Sequence, residues 1–369
     1  MTWEPERLDD QRHLSEADPG GMLPAVAASA AHVRTGYRTA VEAEVVARLT
    51  GHGRPRAIVV AGVGGSGIAG DILAAIAGNG APLPIVSLRS YQLPGWVGAT
   101  DLVIAVSGSG AAEETLSVAT QAVRRGCTLL GVGAPGSPLE AIATQASAPY
   151  VPVPVTGQSR ANLWLLTAPL IVAAAGLRLV QADADVFEGV AKTLEDMAHR
   201  CRPSSESFIN PGKSLAMDLA ESVPMIWGSS ALASVAAYRM ACQLNTNAKY
   251  PAIYGELPEA DHNQIVAFDG PLAERDIFAD TSGRTLKLVL LRDAEEHPQV
   301  TRRREASVRL ANDRDVPVTE LAAEGVHPLE RIATLIALGD YASTYLALGY
   351  AVDPTPVSAI TELKARISQ

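Results

Sequence analysis

Apolar residues in the first half of the chain follow two alternating patterns. Short runs rich in β-branched residues, such as "RAIVVAG" at 56–62, are typical of buried parallel strands. The runs between them carry apolar residues at three- and four-residue spacing, which is typical of helices. The strand-like runs lie at 56–62, 84–88, 101–110, 127–133 and 148–154. This alternation predicts a parallel sheet with helices on both faces.

A second set of strand-like runs follows a helix-rich bridge at about 160–200. It comprises 223–230, 264–270, 285–291 and 316–322. The segments "IVVAGVGGSGIAGDILA" and "PMIWGSSALASVAAYRMA" both predict an apolar strand, a Gly/Ser turn and a helix of small residues, which suggests a duplication. We therefore predict an α/β fold with two similar domains. The predicted limits are a helical segment at 1–55, a first domain at 56–185, a second at 190–345 and a helical tail at 346–369.

Composition narrows the possible partners. The net charge of -10, with no basic stripe, disfavours nucleic acid and anionic membranes as partners. No apolar run approaches the ~20 residues of a membrane span, and the acidic first residues lack the features of a secretory signal. The three cysteines are widely spaced and form no CxxC pair. We therefore expect a cytoplasmic protein without a metal site.

The string Gly62–Gly67 reads G-x-G-x-x-G, the fingerprint of a dinucleotide-binding turn. That fold also needs an acidic residue at the end of the second strand, to hold the ribose. Here the segment "PIVSLRSYQLP" offers Arg89 and no carboxylate. An arginine suits NADP, so a nucleotide-dependent oxidoreductase remains a remote alternative.

The third strand ends in Ser107-Gly108-Ser109-Gly110 and runs directly into a helix. Hydroxyl groups and free N–H groups at a helix N-terminus form a cradle for a phosphate dianion. Serine and glycine are also ordinary turn and cap residues. The position of Ser66, after the neighbouring strand, favours the cradle because ligands of such sheets collect at the carboxyl ends of strands.

These segments resemble a known family. "GVGGSGIAGDI" followed by "AVSGSGAAEETL" is similar to the sugar isomerase (SIS) domain, and most of the chain resembles the bifunctional phosphoglucose/phosphomannose isomerases. The other matching segments are "DPGGMLPAV", "SRANLWLLTAPLI", "NTNAK", "LPEADHNQI" and "ITELKARI", in the family's order. The resemblance implies two flavodoxin-like SIS domains in a homodimer.

The resemblance also implies a reaction, the conversion of glucose 6-phosphate or mannose 6-phosphate to fructose 6-phosphate through an enediolate. It needs no cofactor and no metal. Gly65, Ser66, Ser107 and Ser109 correspond to the residues that hold the phosphate.

Three further residues correspond to catalytic groups of the family. His262 and Lys364 match the ring-opening histidine, which a neighbouring subunit supplies, and the ring-opening lysine. Arg160 matches the arginine that stabilises the enediolate. Without the resemblance, each has a plainer interpretation as a structural histidine, a solvated lysine and an ion-paired arginine.

The chain departs from the family at two positions. Thr246 stands where the family has its proton-transfer glutamate, and a hydroxyl has no useful basicity near pH 7. Ala112 replaces the last hydroxyl of the phosphate loop. Two explanations remain open. Either the protein is an isomerase, impaired or with Glu256 or Glu259 as a substitute base, or it is a pseudoenzyme that binds a sugar phosphate as a regulator.

Overall fold

The computed structural model describes residues 2–154, 157–273 and 285–367. Strands and helices are numbered in chain order. The strands are β1 (Ile58–Ala61), β2 (Ile85–Leu88), β3 (Leu102–Ser107), β4 (Thr128–Gly133), β5 (Tyr150–Pro152), β6 (Ser222–Gly228), β7 (Ile253–Glu256), β8 (Thr285–Arg292) and β9 (Val318–Ala322). The helices are α1 (Gln11–Ala17), α2 (Met22–Ala27), α3 (Ser29–Glu42), α4 (Val45–Thr50), α5 (Gly65–Ala77), α6 (Glu113–Arg124), α7 (Pro138–Gln145), α8 (Leu163–Gly176), α9 (Ala184–Arg200), α10 (Pro211–Leu219), α11 (Ala231–Gln243), α12 (Pro298–Asn312), α13 (Pro328–Gly349) and α14 (Ser358–Ile367).

The chain forms two compact units that interleave along the sequence. The first-sheet unit contains the described residues of 27–195 and 325–330, and the second-sheet unit contains those of 1–26, 196–324 and 331–369. The N-terminal segment belongs to the second-sheet unit, where Arg7 Nη1 donates to the Gly349 carbonyl at 3.0 Å. The predicted domain limits followed sequence order alone and did not include this long-range attachment. They remain a prediction about domains.

The first-sheet unit contains five parallel strands in the order β2-β1-β3-β4-β5. Every residue of β1 and β3 is buried, as their unbroken apolar runs predict. The strand order reverses between β1 and β3, and ligands of such sheets bind beyond the carboxyl ends of the strands at that point. The predicted α/β, flavodoxin-like fold is confirmed.

The second-sheet unit contains four parallel strands in the order β7-β6-β8-β9, again with its first strand between the second and third. One strand prediction is wrong, because the segment 264–270 forms a 3₁₀ helix (Gln264–Asp269). Only Phe268 of this helix is buried, stacked on Trp227 with ring centroids 5.8 Å apart, and Val266 is exposed. Strand β7, which the sequence analysis missed, occupies the sheet edge instead.

One described helix, α13, has the length and apolar composition of a membrane span. The protein itself buries 94% of its most apolar window. Packing in the protein core therefore accounts for the apolar character of α13.

Candidate functional site

The first part of the candidate site is the turn from β1 into α5. Gly64, with φ of 58°, precedes the helix, and Gly65 and Ser66 form its first turn. A Cβ on Gly62 would lie 2.9 Å from the Ser66 carbonyl carbon and 3.0 Å from the Val106 oxygen, so only glycine allows this close approach. The first N–H groups of an α-helix have no acceptor within the helix. Together with the helix dipole, they favour an anion at this end of α5.

The second part is the loop that follows β3. Ser107 is buried, with 2% of its surface exposed, whereas Ser109 is exposed. Ser107 Oγ accepts from the Ala112 N–H at 3.3 Å, and Ser109 Oγ accepts from the Ala111 N–H at 3.2 Å. The two hydroxyl oxygens lie 3.5 Å apart. Even if one hydroxyl donates to the other, the second keeps its hydrogen for a bound anion.

Contact with Ser137 holds this serine loop in place. Gly110 has φ of 66°, and a Cβ on it would lie 2.1 Å from Ser137 Oγ. Ser137 caps α7 by accepting from the Glu140 N–H, and its hydroxyl lies 3.0 Å from Tyr150 Oη. Burial raises the pKa of Tyr150 to about 12, so the phenol stays protonated and donates to the Ala134 carbonyl at 2.7 Å. The loop is therefore preorganised before any ligand arrives.

The cradle has weaknesses as well. Ala112 is the N-cap of α6 and provides no side-chain cap, and Glu113 and Glu114 place two carboxylates in the first helical turn. Arg89 is the cation beside the glycine turn, because a Cβ on Gly67 would lie 2.9 Å from its Nε. This guanidinium pairs with Asp71, which compensates much of its positive charge.

Arg160 lies in the same unit, half-buried in the 3₁₀ turn Ser159–Ala161. The ring of His32, on α3, hydrogen-bonds the backbone of the adjacent Ala161. Among the described residues, His32 Nδ1 is buried without a hydrogen-bond partner. Burial lowers the pKa of His32, and the hydrogen bond to Ala161 offsets only part of that effect. The Arg160 turn is thus hydrogen-bonded to a histidine whose pKa is lowered by burial.

Thr246 lies in the second-sheet unit, in the π-helical turn Leu244–Ala248 that follows α11. Its hydroxyl donates to the Cys242 carbonyl at 2.8 Å. The side chain therefore bonds to its own helix backbone, a common habit of threonine in helices. It provides no basic atom at the position that the family resemblance assigns to a glutamate.

Glu256 is the last residue of β7, and Glu259 and His262 lie in the 3₁₀ turn that follows; all three are exposed. Asn263 Nδ2 donates to the Glu259 carboxylate at 2.8 Å. Gln264 fixes the segment from behind, since its side chain accepts from Trp227 Nε1 at 2.6 Å. These hydrogen bonds anchor the turn that carries Glu259 and His262.

Lys364 lies on α14, also in the second-sheet unit, and its side chain is exposed. No residue of Ser358–Ile367 is buried. The structure therefore divides the predicted site residues between the units. The phosphate residues and Arg160 lie in the first-sheet unit, and Thr246, Glu256, Glu259, His262 and Lys364 lie in the second.

The second-sheet unit has a similar strand, turn and helix arrangement at the end of β6, where the Asp293 side chain contacts the turn. A Cβ on Gly228, at the end of β6, would lie 2.2 Å from the Ser234 nitrogen, as tight a turn as that after β1. Ser230 caps α11 and donates to Asp293 Oδ2 at 3.0 Å, and the Asp293 N–H donates to Ser229 Oγ at 3.1 Å. Arg331 pairs with Asp293 at 2.7 Å. A carboxylate of the unit itself, which is buried, thus pairs with the capping serine at the N-terminus of α11.

The chain is similar to several known proteins. Residues 208–367 match the model of the bacterial phospho-glucose isomerase C-terminal SIS domain. The bifunctional phosphoglucose/phosphomannose isomerase of Caldicellulosiruptor bescii is 32% identical over 312 residues, which cover 85% of this chain and 89% of that protein. The chain belongs to the bifunctional phosphoglucose/phosphomannose isomerase family.

Other relatives support the family assignment and the fold. The Aquifex aeolicus family member is 28% identical over 316 residues, covering 85% of this chain and 91% of its own. A hypothetical protein from Thermus thermophilus has the same fold, with a TM-score of 0.72 at 15% identity over 99% of this chain and 94% of that one. The resemblance stated from the sequence motifs is confirmed.

Some residues around the site escaped the sequence analysis. Ser137, Tyr150 and Asp293 carry no motif. Within the first-sheet unit the fold brings Ser137 to Tyr150, and within the second-sheet unit it brings Asp293 to Ser230. Among the described residues, no group of three or more His, Cys, Asp or Glu side chains could hold a metal ion.

Proposed function

We propose that this family member binds a hexose 6-phosphate through the Ser66 turn and the Ser107–Gly110 loop. We further propose that its isomerase-type site is impaired in proton transfer between C1 and C2. The observation that carries the binding proposal is the paired arrangement of Ser107 and Ser109. Both hydroxyl oxygens accept backbone N–H groups, which orients the pair at the carboxyl end of β3. A sugar phosphate fits this cradle better than a dinucleotide, since the relatives are named as sugar-phosphate isomerases.

The departure at Ala112 sets the expected affinity. A hydrogen bond to a charged group contributes about 1.5–3 kcal/mol. Loss of one hydroxyl donor therefore weakens phosphate binding by about 10- to 100-fold, compared with a family member that has all the hydroxyl groups of the phosphate loop. Glu113 and Glu114 act in the same direction, because they place negative charge in the first turn of α6.

The departure at Thr246 affects one chemical step and leaves the others intact. Ring opening requires an acid and a base near the ring oxygen, and we assign these roles to His262 and Lys364. Arg160 would stabilise the enediolate. Proton transfer between the two carbons requires a base, and the loss of one costs about 10²- to 10⁴-fold in rate. We therefore expect ring opening to proceed faster than isomerisation.

The test compares ring opening and isomerisation in the wild type, in Thr246→Glu and in Thr246→Gln. Glutamine has the shape of glutamate but is not basic. Anomer exchange of glucose 6-phosphate by NMR measures ring opening, and a coupled assay measures isomerisation. We expect only Thr246→Glu to raise isomerisation, by about 100-fold, with anomer exchange unchanged in all three. A melting-temperature rise with NADP and none with glucose, mannose or fructose 6-phosphate would refute the proposal.

Two outcomes separate the remaining alternatives. High wild-type isomerisation that is lost in Glu256→Gln or Glu259→Gln identifies a relocated base. Sugar-phosphate binding with neither anomer exchange nor isomerisation, in wild type and in Thr246→Glu, identifies a non-catalytic regulator. The engagement of the Thr246 hydroxyl with the Cys242 carbonyl is the observation that favours this second candidate.

We also propose a homodimer. Edge strand β7 and the segment after it expose Ile253, Tyr254, Val266 and Leu272, on either side of His262 along the chain. Exposed apolar residues of this size favour burial against another surface. The expected solution mass at micromolar concentration is that of two chains. Mixing His262→Ala with Lys364→Met should restore part of the ring-opening rate if His262 serves the partner's site, and a monomeric mass would contradict the dimer.

A further inference from the structure

Lys249 connects two segments of the second-sheet unit through main-chain hydrogen bonds. Its Nζ donates to the Thr246 and Asn247 carbonyls at 3.0 and 3.1 Å. The same Nζ donates to the Asp353 and Pro354 carbonyls at 3.0 and 3.2 Å. Because an ammonium group has three hydrogens, one of them is shared between two of these oxygens. The first two carbonyls belong to the Thr246 turn, and the other two lie just before α14.

The segment 353–357, from which α14 starts, has a second attachment. A Cβ on Gly20 would lie 2.1 Å from Thr355 Oγ1, so the Asp18–Gly21 turn packs directly on this segment. Asp18 fixes that turn by accepting from the Met22 and Leu23 N–H groups at 2.7 and 2.8 Å. The "DPGG" motif of the sequence thus contacts the segment before α14 at Thr355, and Lys249 bonds to it at Asp353 and Pro354.

Helix α14 is exposed along its length. No residue of Ser358–Ile367 is buried, so packing along the helix contributes little to its orientation. The direction in which it leaves the unit is set where it starts. Lys364 lies six residues after the first residue of α14, about two helical turns away. A small change of angle at the start therefore moves its ammonium group by several ångströms.

We propose that Lys249 is a positioning residue. It ties the Thr246 turn to the start of α14 and so sets where Lys364 is presented. Its catalytic consequence rests on the role of Lys364 in the proposed function, whereas its structural consequence does not. Four carbonyl oxygens converging on one Nζ form a site that suits a compact ammonium with rotatable donors. A guanidinium is planar and larger, so arginine is a poor substitute despite its charge.

The structural test is hydrogen exchange of the full-length protein with Lys249→Met, which keeps most of the stem and removes the donors. We expect amides of 244–249 and 353–357 to exchange about tenfold faster, while the melting temperature changes little. Lys192→Met, which removes an exposed lysine on α9, is the matched control and should change neither segment. Lys249→Arg should restore little protection. Unchanged exchange at 353–357 in Lys249→Met would overturn the proposal.

The catalytic test is a double-mutant cycle on anomer exchange. Lys249→Met should lower the ring-opening rate about tenfold with KM unchanged, and should have no effect in a Lys364→Met background. If Lys249→Met also lowers the ring-opening rate about tenfold in the Lys364→Met background, Lys249 does not act through Lys364. Wild-type ring opening in Lys364→Met would refute the assigned role of Lys364, and with it the catalytic half of this proposal. The exchange result would still decide the structural half.

Discussion

Substitution of Gly110 by alanine tests the preorganisation of the serine loop. The residue has φ of 66°, a conformation that costs a residue with a Cβ about 1–2 kcal/mol. The added Cβ would also lie 2.1 Å from Ser137 Oγ and 2.2 Å from Ser137 Cβ. Displacement of Ser137 forfeits its cap on α7, worth about 0.5–2 kcal/mol, and its hydrogen bond with Tyr150, worth about 0.5–1.5 kcal/mol. The expected loss of stability is therefore about 2–5 kcal/mol.

Gly136 provides the matched control. Its φ is 70°, and a Cβ on it would meet nothing within 4 Å. Gly136→Ala should therefore cost only the backbone contribution, about 1–2 kcal/mol. Urea unfolding followed by circular dichroism gives both values, with an unchanged slope as the condition for comparing midpoints.

A third variant isolates the collision. Ser137→Gly removes both atoms that the new Cβ would strike, so Gly110→Ala should cost less in that background than in the wild type. The same variants report on the cradle, because sugar-phosphate binding should weaken in Gly110→Ala and remain in Gly136→Ala. Equal destabilisation by Gly110→Ala and Gly136→Ala would refute the argument that Ser137 packing fixes the loop.

Three other predictions follow from the contacts described above. Ser107→Ala should weaken glucose 6-phosphate binding by about 10- to 100-fold in calorimetric titration. Because burial lowers the pKa of His32 below its ordinary value of 6.5, stability should be fully present above that pH and fall as the solution is acidified. His32→Asn should remove this part of the acid dependence of the urea midpoint. Asp293→Ala should cost about 3–5 kcal/mol because it removes the buried carboxylate that pairs with the buried Arg331 at 2.7 Å. Arg331 also pairs with the exposed Glu295 at 3.2 Å, and Glu295→Ala should cost under about 1 kcal/mol.

The sequence predicts strands well where burial is continuous. The runs that became β1, β3 and β8 are apolar because both faces of a parallel sheet are covered, and they fall within three residues of the observed bounds. The segment 264–270 misled the analysis because an apolar run of that length is also compatible with a short helix packed by one aromatic ring. The edge strand β7 has only one buried residue, Gly255, so it lacks that signal.

The candidate site divides in the same way. Local motifs predict the Ser66 turn and the Ser107–Gly110 loop, since a cradle at the end of a strand is a local property of the chain. Asp293 and Lys249 act through partners far away in sequence, with the Ser230 hydroxyl in one case and the Asp353 carbonyl in the other. No spacing pattern in the sequence predicts such pairs, because their members come into contact only in the folded structure.

The carboxylate of Asp293 has a consequence for how the protein responds to its ligand. A duplicated architecture ordinarily provides two equivalent ligand sites, but here the Asp293 side chain lies at one of them. If the proposed function is correct, we expect each polypeptide to bind one sugar phosphate with a hyperbolic saturation curve. A sigmoidal binding curve would therefore have to come from cooperativity between subunits of an oligomer. It should disappear when the oligomer is dissociated by dilution.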